Sequence, residues 1–369
     1  MMSGGERLRA MAVVLGLAIL VGCCSREEAR PSVAEYAKRL KPLLEAAPKS
    51  VIDLDGVEPE VIYPDLVIPR DTTQKEGGLF LAQPSGILVL RDSIYITDAK
   101  DHCIKVADME GNLIRTIGRR GQGPGEFNQP WEIVANDSFV FVYDVGNSRV
   151  QIFAHDFRYV ASLPALYMLL PPVGGLAAGN RNLLVHGFVT DSMLVRVYRA
   201  QRPFSLCYAF LPLVVPYRRQ PRVMNSVALA STPDGRFCVG FVCLPYALVF
   251  DSTGTQVATL EFRGRAVKRL DEPVSAKRLA GVPPGAGRRR FMGSIRIEGN
   301  WGVRTLVISG PDVADLLFLQ RHGESYRLEK RLRLPNTFSE PFFLSEDALY
   351  VAMDWRGMVY RYKLKGEGL

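Results

Sequence analysis

The stretch Pro130–Phe153, PWEIVANDSFVFVYDVGNSRVQIF, decides the fold once it is laid on Pro84–Ala107, PSGILVLRDSIYITDAKDHCIKVA. At a shift of 46 residues (130 minus 84), Pro84 meets Pro130 and Asp98 meets Asp144, and Ile104–Val106 meets Val150–Ile152 with no gap. Both copies hold short runs of β-branched, aromatic and leucine residues. Gly, Asp, Asn and Pro separate these runs, which is the pattern of strands and tight turns rather than of helices. Self-similarity at such a period marks an array, in which each unit buries a face against the next.

Each unit reads as four strands. In the first they are Ile87–Leu90, Ile94–Thr97, Ile104–Ala107 and Leu113–Ile117, with turns at Arg91-Asp92, Ala99–His102 and Glu110–Asn112. Weaker copies follow. Asn182–Gly187 with Leu194–Tyr198 suggests a third unit, and Val227–Ala230, Phe237–Phe241 and Leu248–Phe250 a fourth. Leu306–Ser309, Leu316–Leu319 and Tyr326–Leu334 suggest a fifth. Phe342–Leu344, Leu349–Ala352 and Met358–Leu364 give three strands of a sixth, and Val61–Ile68 is available as its fourth. The expected fold is all-β: a β-propeller of four-stranded blades, six of them by this count, closed by an N-terminal strand. Closure of that kind removes exposed sheet edges.

The second unit resembles an NHL repeat. Gly121-Gln-Gly-Pro-Gly-Glu-Phe-Asn-Gln-Pro-Trp-Glu-Ile133 leads to Asp144-Val-Gly-Asn147-Ser-Arg149-Val-Gln-Ile-Phe153, as in that family's pattern. The resemblance covers residues 80–165, and the first unit departs from it at Asp101 and Cys103, where Asn and Arg are expected. The recurring Asp98, Asp144 and Asp354, with Asn147 and Arg149, read as blade-turn staples, because an Asp side chain accepts backbone N–H bonds in a turn.

The glycine-rich segment Gly118–Pro130, GRRGQGPGEFNQP, invites a phosphate-grip reading. A phosphate fingerprint needs a helix directly after its glycines. Here Pro130 and the strand-like Ile133–Ala135 follow, and the glycine spacing is wrong. The segment is expected to cross from the outer strand of one blade to the inner strand of the next, with Phe127 packed between blades.

The N-terminus reads as a targeting segment. Arg7 and Arg9 precede an apolar run, Ala10–Val21, too short to span a bilayer as a helix but suited to a signal peptide. The run ends in Leu20-Val21-Gly22-Cys23, which resembles a bacterial lipoprotein signal. The resemblance implies cleavage before Cys23, diacylation of that cysteine, and a lipid-anchored location in the cell envelope, facing the periplasm or the exterior. The expected organisation is a signal peptide at 1–22, a partly helical tether at 23–50 and a propeller at 51–369. The helical spacing in the tether is Val33, Tyr36, Leu40, Leu43 and Leu44. Acyl chains hold such a protein on a membrane without spanning it.

Composition limits the chemistry. Hydrophobic residues make up 47% and charged residues 23% of the 369, which is ordinary globular usage. Only four histidines occur, and no cysteine pattern suits a metal. Cys238 and Cys243 leave room for a hairpin disulfide, with buried free thiols as the alternative. Glu132 and Asn225, at expected innermost-strand starts, are the candidate channel residues. Together they resemble the ligands of calcium-dependent propeller lactonases, so a channel hydrolase or lyase, with calcium as its cofactor, is one expectation. The other, favoured here, is a non-catalytic propeller that binds protein, peptide or glycan and uses no cofactor. Formal net charge is +8. Residues 262–296 read as a basic insertion between the fourth and fifth blades, with Arg288, Arg289 and Arg290 as candidate contacts for an anionic surface. An exported location disfavours nucleic acid as a partner.

Overall fold

The computed structural model describes residues 32–364, apart from 70–77, 166–174, 188–192, 215–221, 272–289, 311–312, 336–341, 345–347 and 354–356. Six antiparallel sheets follow one another along the chain. Blade 1 is Pro84–Leu90, Ser93–Asp98, Cys103–Ala107 and Leu113–Ile117; blade 2 is Pro130–Ala135, Val140–Asp144, Arg149–Phe153 and Tyr159–Pro164. Blade 3 is Leu176–Ala178, Asn182–His186, Met193–Arg199 and Leu206–Pro212; blade 4 is Val227–Ser231, Phe237–Phe241, Tyr246–Phe250 and Gln256–Arg263. Blade 5 is Met292–Ile297, Val303–Gly310, Val313–His322 and Ser325–Pro335. Blade 6 is Phe342–Leu344, Ala348–Met353 and Met358–Lys363, completed by Leu66–Ile68 from the N-terminal side of the chain. The fold is a six-bladed β-propeller.

The ring closes because every blade is apolar on both faces. The buried apolar residues fall into six clusters, each shared by two neighbouring blades. In Val140–Asp144 the alternation is plain. Val140 and Val142 pack against Leu88 and Tyr95 of blade 1, whereas Phe141 and Tyr143 pack with Leu183 and Val185 of blade 3. Successive side chains on a strand point to opposite faces, so a middle strand buried on both sides must be continuously apolar. The sixth cluster joins Ile68, Tyr350 and Val359 to Ile87 and Ile96, uniting the last blade with the first.

Residues 32–68 do more than supply the closing strand. Ser32 and Glu35 form a reciprocal capping box at the start of a helix, Val33–Arg39, which satisfies two backbone donors at its N-terminus. With the helical turn Lys41–Leu44, it buries Tyr36, Leu40 and Leu44 against blades 3 and 4. The chain then adds Lys49–Asp53 parallel to the outer strand of blade 4, and Glu60–Val61 parallel to that of blade 5. Arg331 locks this strap. It pairs with the buried Asp315 and donates to the carbonyls of Leu54 and Val57, while Arg333 takes the other oxygen of Asp315 at 2.9 Å.

Several expectations need correction. The innermost strands of blades 3 and 5 and the outermost strands of blades 3 and 4 were not foreseen. Two of these lie within the segment read as the basic insertion: Phe262 and Arg263 end the outer strand of blade 4, and Met292–Ile297 is the innermost strand of blade 5. Arg263 pairs with Glu261, and Arg265, in the helical turn Arg265–Lys268, pairs with Asp55 of the strap. Among the described residues of this segment, Arg263, Arg265 and Arg296 therefore sit at a strand end, in a docked turn and on the channel. Arg290 is half-buried; Arg288 and Arg289 lie outside the described residues. Cys238 and Cys243 are not joined by a disulfide. They face different blade interfaces, which turns their thiols away from each other.

Candidate functional site: the central channel

The motif residues build the frame around the channel. Asp144 is fully buried. It accepts from the backbone N–H of Asn128 at 2.7 Å, Nδ2 of Asn147 at 2.8 Å and Nε of Arg149 at 2.9 Å. The Arg149 guanidinium then donates to the carbonyls of Gln122, Gly123 and Glu126, and Gln151 donates to Glu126 as well. The glycine-rich crossing thus turns its carbonyls onto cations and amides of its own blade, leaving no nest of N–H groups for a phosphate. Glu126 accepts from the N–H of Gly123 and pairs with Arg119. Gly118 has φ +79°, and a Cβ there would lie 2.5 Å from the Phe127 ring, which is completely buried between blades 1 and 2. Only glycine suits both demands.

Asp98 plays the same part in blade 1 with a reduced set. It accepts from the N–H groups of Ala82, Gln83 and Asp101, and Lys105 stands at 3.9 Å. In blade 3 the second strand ends in His186 instead. Its Nε2 lies 3.0 Å from the carbonyl of Asn225, and burial pulls its pKa down to about 4. Asp354 lies outside the described residues.

All six innermost strands reach one cavity of about 130 Å³ on the ring axis. Its lining mixes aliphatic residues, Leu88, Ile133, Leu176, Leu229 and Ile295 among them, with the polar side chains Glu132, Ser231, Ser294 and Arg296, and polar atoms make up more of its surface than apolar ones. The register explains which residues point inward. Blades 1, 2 and 5 each carry a bulge at the same place on the innermost strand, between Pro84 and Gly86, Pro130 and Glu132, and Met292 and Ser294. Gly86, Glu132 and Ser294 are therefore equivalent, and Arg296 is equivalent to Leu88 and Val134. Blades 2 and 5 stand three apart in a ring of six, so Glu132 and Arg296 face one another across the axis. They are offset by two residues, roughly 6–7 Å along a strand.

Each of these side chains is held in an unusual state. Burial pushes the Glu132 carboxyl up to about 8, against the lowering effect of the backbone N–H groups of Leu176 and Gly175. Its Oε2 is shielded from solvent and has no hydrogen-bond partner. Arg296 lays its guanidinium over the Phe343 ring, 4.8 Å from the centroid. Burial lowers its pKa, and the nearby Glu298 acts against that. Glu298 itself is bound to Arg304 at 2.9 Å.

The two sequence candidates for the channel are therefore separated. Glu132 lines the cavity. Asn225 sits in the 3-10 turn Arg222–Asn225 ahead of blade 4, where its carbonyl meets His186, and it is not among the lining residues. Asn225 therefore does not line the cavity with Glu132, and among the described residues no three His, Cys, Asp or Glu side chains cluster as metal ligands would. Arg296 was missed as a channel residue. Its signal, an arginine inside the alternating MGSIRI, was hidden by the surrounding basic residues.

A family model described as a 6-bladed beta-propeller, DUF5128, matches residues 68–164, from the last residue of the closing strand through the first two blades. Among solved structures, a member of the DUF4221 family from Bacteroides vulgatus aligns with TM-score 0.50 at 8% identity, over 82% of this chain and 97% of that one. A Bacteroides fragilis protein described as exported aligns with TM-score 0.49 at 11% identity, over 82% and 88%. Virginiamycin B lyase from Staphylococcus aureus aligns with TM-score 0.47 at 11% identity, over 78% and 98%. Likeness at this level speaks to fold alone.

Proposed function

We propose that this chain is a lipid-anchored propeller of the bacterial cell envelope that acts as a non-catalytic binding module and takes its ligand at the central channel. The observation that carries the binding reading is the cavity built from all six innermost strands, with Glu132 and Arg296 set across it on a closed frame. A concave cavity with a few convergent polar groups is the usual form of a ligand site. The anchoring part rests on the signal-like N-terminus ending at Cys23. Protein, peptide or glycan partners would reach the channel at one mouth of the ring.

One observation favours an enzymatic second reading. A carboxyl that keeps its proton near neutral pH is suited to general acid–base work, and Glu132 is such a group. Native mass spectrometry of the protein purified from bacterial membranes separates the two. The binding reading expects a retained small molecule that is lost in Arg296→Met and is released chemically unchanged. Turnover of that molecule, abolished in Glu132→Gln, would establish the hydrolase or lyase instead. For the anchor, labelled palmitate is expected on the wild type and absent from Cys23→Ala; equal labelling would reject it.

A further inference from the structure

We propose that the central channel binds a small monocarboxylate, held by Arg296 with Glu132 as a second contact. This rests on the reading of the channel as the ligand site and adds the chemical class. Three features of the cavity carry it.

The first is charge. Among the described lining residues only Glu132 and Arg296 titrate, and they stand on opposite sides of the axis. Among the described residues Arg296 makes no ion pair or hydrogen bond; the nearby acid Glu298 is held by Arg304. A guanidinium held over an aromatic ring, as Arg296 is over Phe343, can keep N–H donors available at its edge. Those donors match the two oxygens of a carboxylate.

The second is the state of Glu132. Held near 8 by burial, its carboxyl is mainly protonated at pH 7. It then offers an O–H donor and places no second negative charge against an entering anion. The elements packed around it add no other charge. Blade 1 contributes Gly86, Ile87 and Leu88, and blade 3 contributes Leu176 to Ala178; Arg296 of blade 5 is the one charged group opposite.

The third is size and wall chemistry. A cavity of about 130 Å³ is near the ~150 Å³ that accommodates benzene in an engineered protein core. Its occupant has roughly six to eight non-hydrogen atoms by that comparison. The wall carries a single guanidinium, which matches one carboxylate and would leave the second charge of a dicarboxylate unpaired.

Isothermal titration of the wild-type protein with hexanoate and with hexanamide, at pH 6, 7 and 9, tests this. The expected result is that hexanoate binds at least tenfold more tightly than hexanamide at pH 7. Binding of hexanoate should weaken severalfold at pH 9, as Glu132 ionises. Arg296→Met should lose tenfold or more, Arg296→Lys should keep part of the affinity, and Glu132→Gln should bind with no pH dependence. Melting curves of each variant show that the ring is intact. Equal binding of hexanoate and hexanamide would overturn the carboxylate assignment and leave the channel a ligand site. Binding of neither at millimolar concentration would overturn both. An unchanged affinity in a folded Arg296→Met would remove that residue's role and the proposal with it.

Discussion

At the scale of single residues, two buried carboxyls are used in opposite ways. Asp144 is surrounded by donors, and it holds the turn of blade 2 and the crossing loop together. Replacing it with alanine leaves the Arg149 guanidinium, 16% exposed, without its carboxylate. Removing one partner of a buried pair costs about 3–5 kcal/mol, and urea melts of Asp144→Ala should show a loss of that size. A loss below ~1 kcal/mol would mean that the carbonyls of the crossing loop hold Arg149 unaided. Glu132 is the reverse case. Its pKa rises from 4.5 to about 8 on folding, so the folded protein keeps a proton that the unfolded chain releases between those values. Stability attributable to this group therefore falls as pH climbs from about 4.5 to 8 and then levels off. Glu132→Gln escapes that loss. Its melting temperature should exceed the wild type's by a widening margin across this window, and a constant margin from pH 4 to 9 would contradict the buried-acid account. His186 runs the other way: its value, lowered to about 4, makes it a source of acid lability. Stability falls as pH drops from 6.5 towards 4, because the unfolded chain then takes up a proton that the folded one refuses. Melting curves of His186→Gln should drop less than the wild type's over that range.

At the scale of elements, the decisive piece is the short strand Leu66–Ile68. It pairs with Val359–Arg361 and completes blade 6 from the other side of the sequence. Ile68 is fully buried in the interface between blades 6 and 1, and Arg361 is tied to Asp65 at 2.6 Å. An unpaired outer edge here would expose a strand to other chains. Ile68→Asp buries an unpaired charge in that interface, which neutral apolar neighbours cannot compensate. Size-exclusion chromatography and calorimetry should show self-association and a melt at least 10 °C lower; a monomer with the wild-type melt would show that the closing strand is dispensable. The strand was legible in the sequence, because the sixth unit lacked a fourth run and Val61–Ile68 was left over. The repeat itself was legible where blades 1 and 2 keep their Asp and their turn lengths. It faded in blades 3 to 5 because there the frame is held by other means: His186 replaces the Asp, and apolar packing carries the rest. Residues 32–50 of the strap were read as part of a tether because their apolar residues are few. They are nonetheless enough, since Tyr36, Leu40 and Leu44 lie on one helical face and meet a groove between blades that no sequence pattern announces. Arg296 was lost for a related reason: charge run-length describes a surface segment, and only strand register reveals that one arginine turns inward.

At the scale of the whole molecule, the ring has a distinguishable side. The docked helix Val33–Arg39 packs against blades 3 and 4, and Val33 touches the interfaces on both sides of blade 4. The turn Arg265–Lys268, from which the basic segment departs, is bonded to Asp55 of the same strap through the backbone N–H of Arg265. The helix Val33–Arg39 and the turn Arg265–Lys268 therefore both lie beside blade 4. If Cys23 carries the lipid, this side of blade 4 faces the membrane, where anionic headgroups attract Lys and Arg by about 1 kcal/mol each near the surface. Replacing Arg288, Arg289 and Arg290 together with alanine should then weaken binding of the non-acylated protein to phosphatidylglycerol vesicles by tenfold or more at low salt. The difference should shrink as ionic strength rises, because the Debye length falls from about 30 Å at 0.01 M to about 10 Å at 0.1 M. Binding to phosphatidylcholine vesicles should be weak for both proteins. Equal affinity of the triple variant and the wild type for the anionic vesicles would show that the three arginines do not meet the membrane. The orientation of the ring would then have to come from the acyl anchor and the docked helix alone.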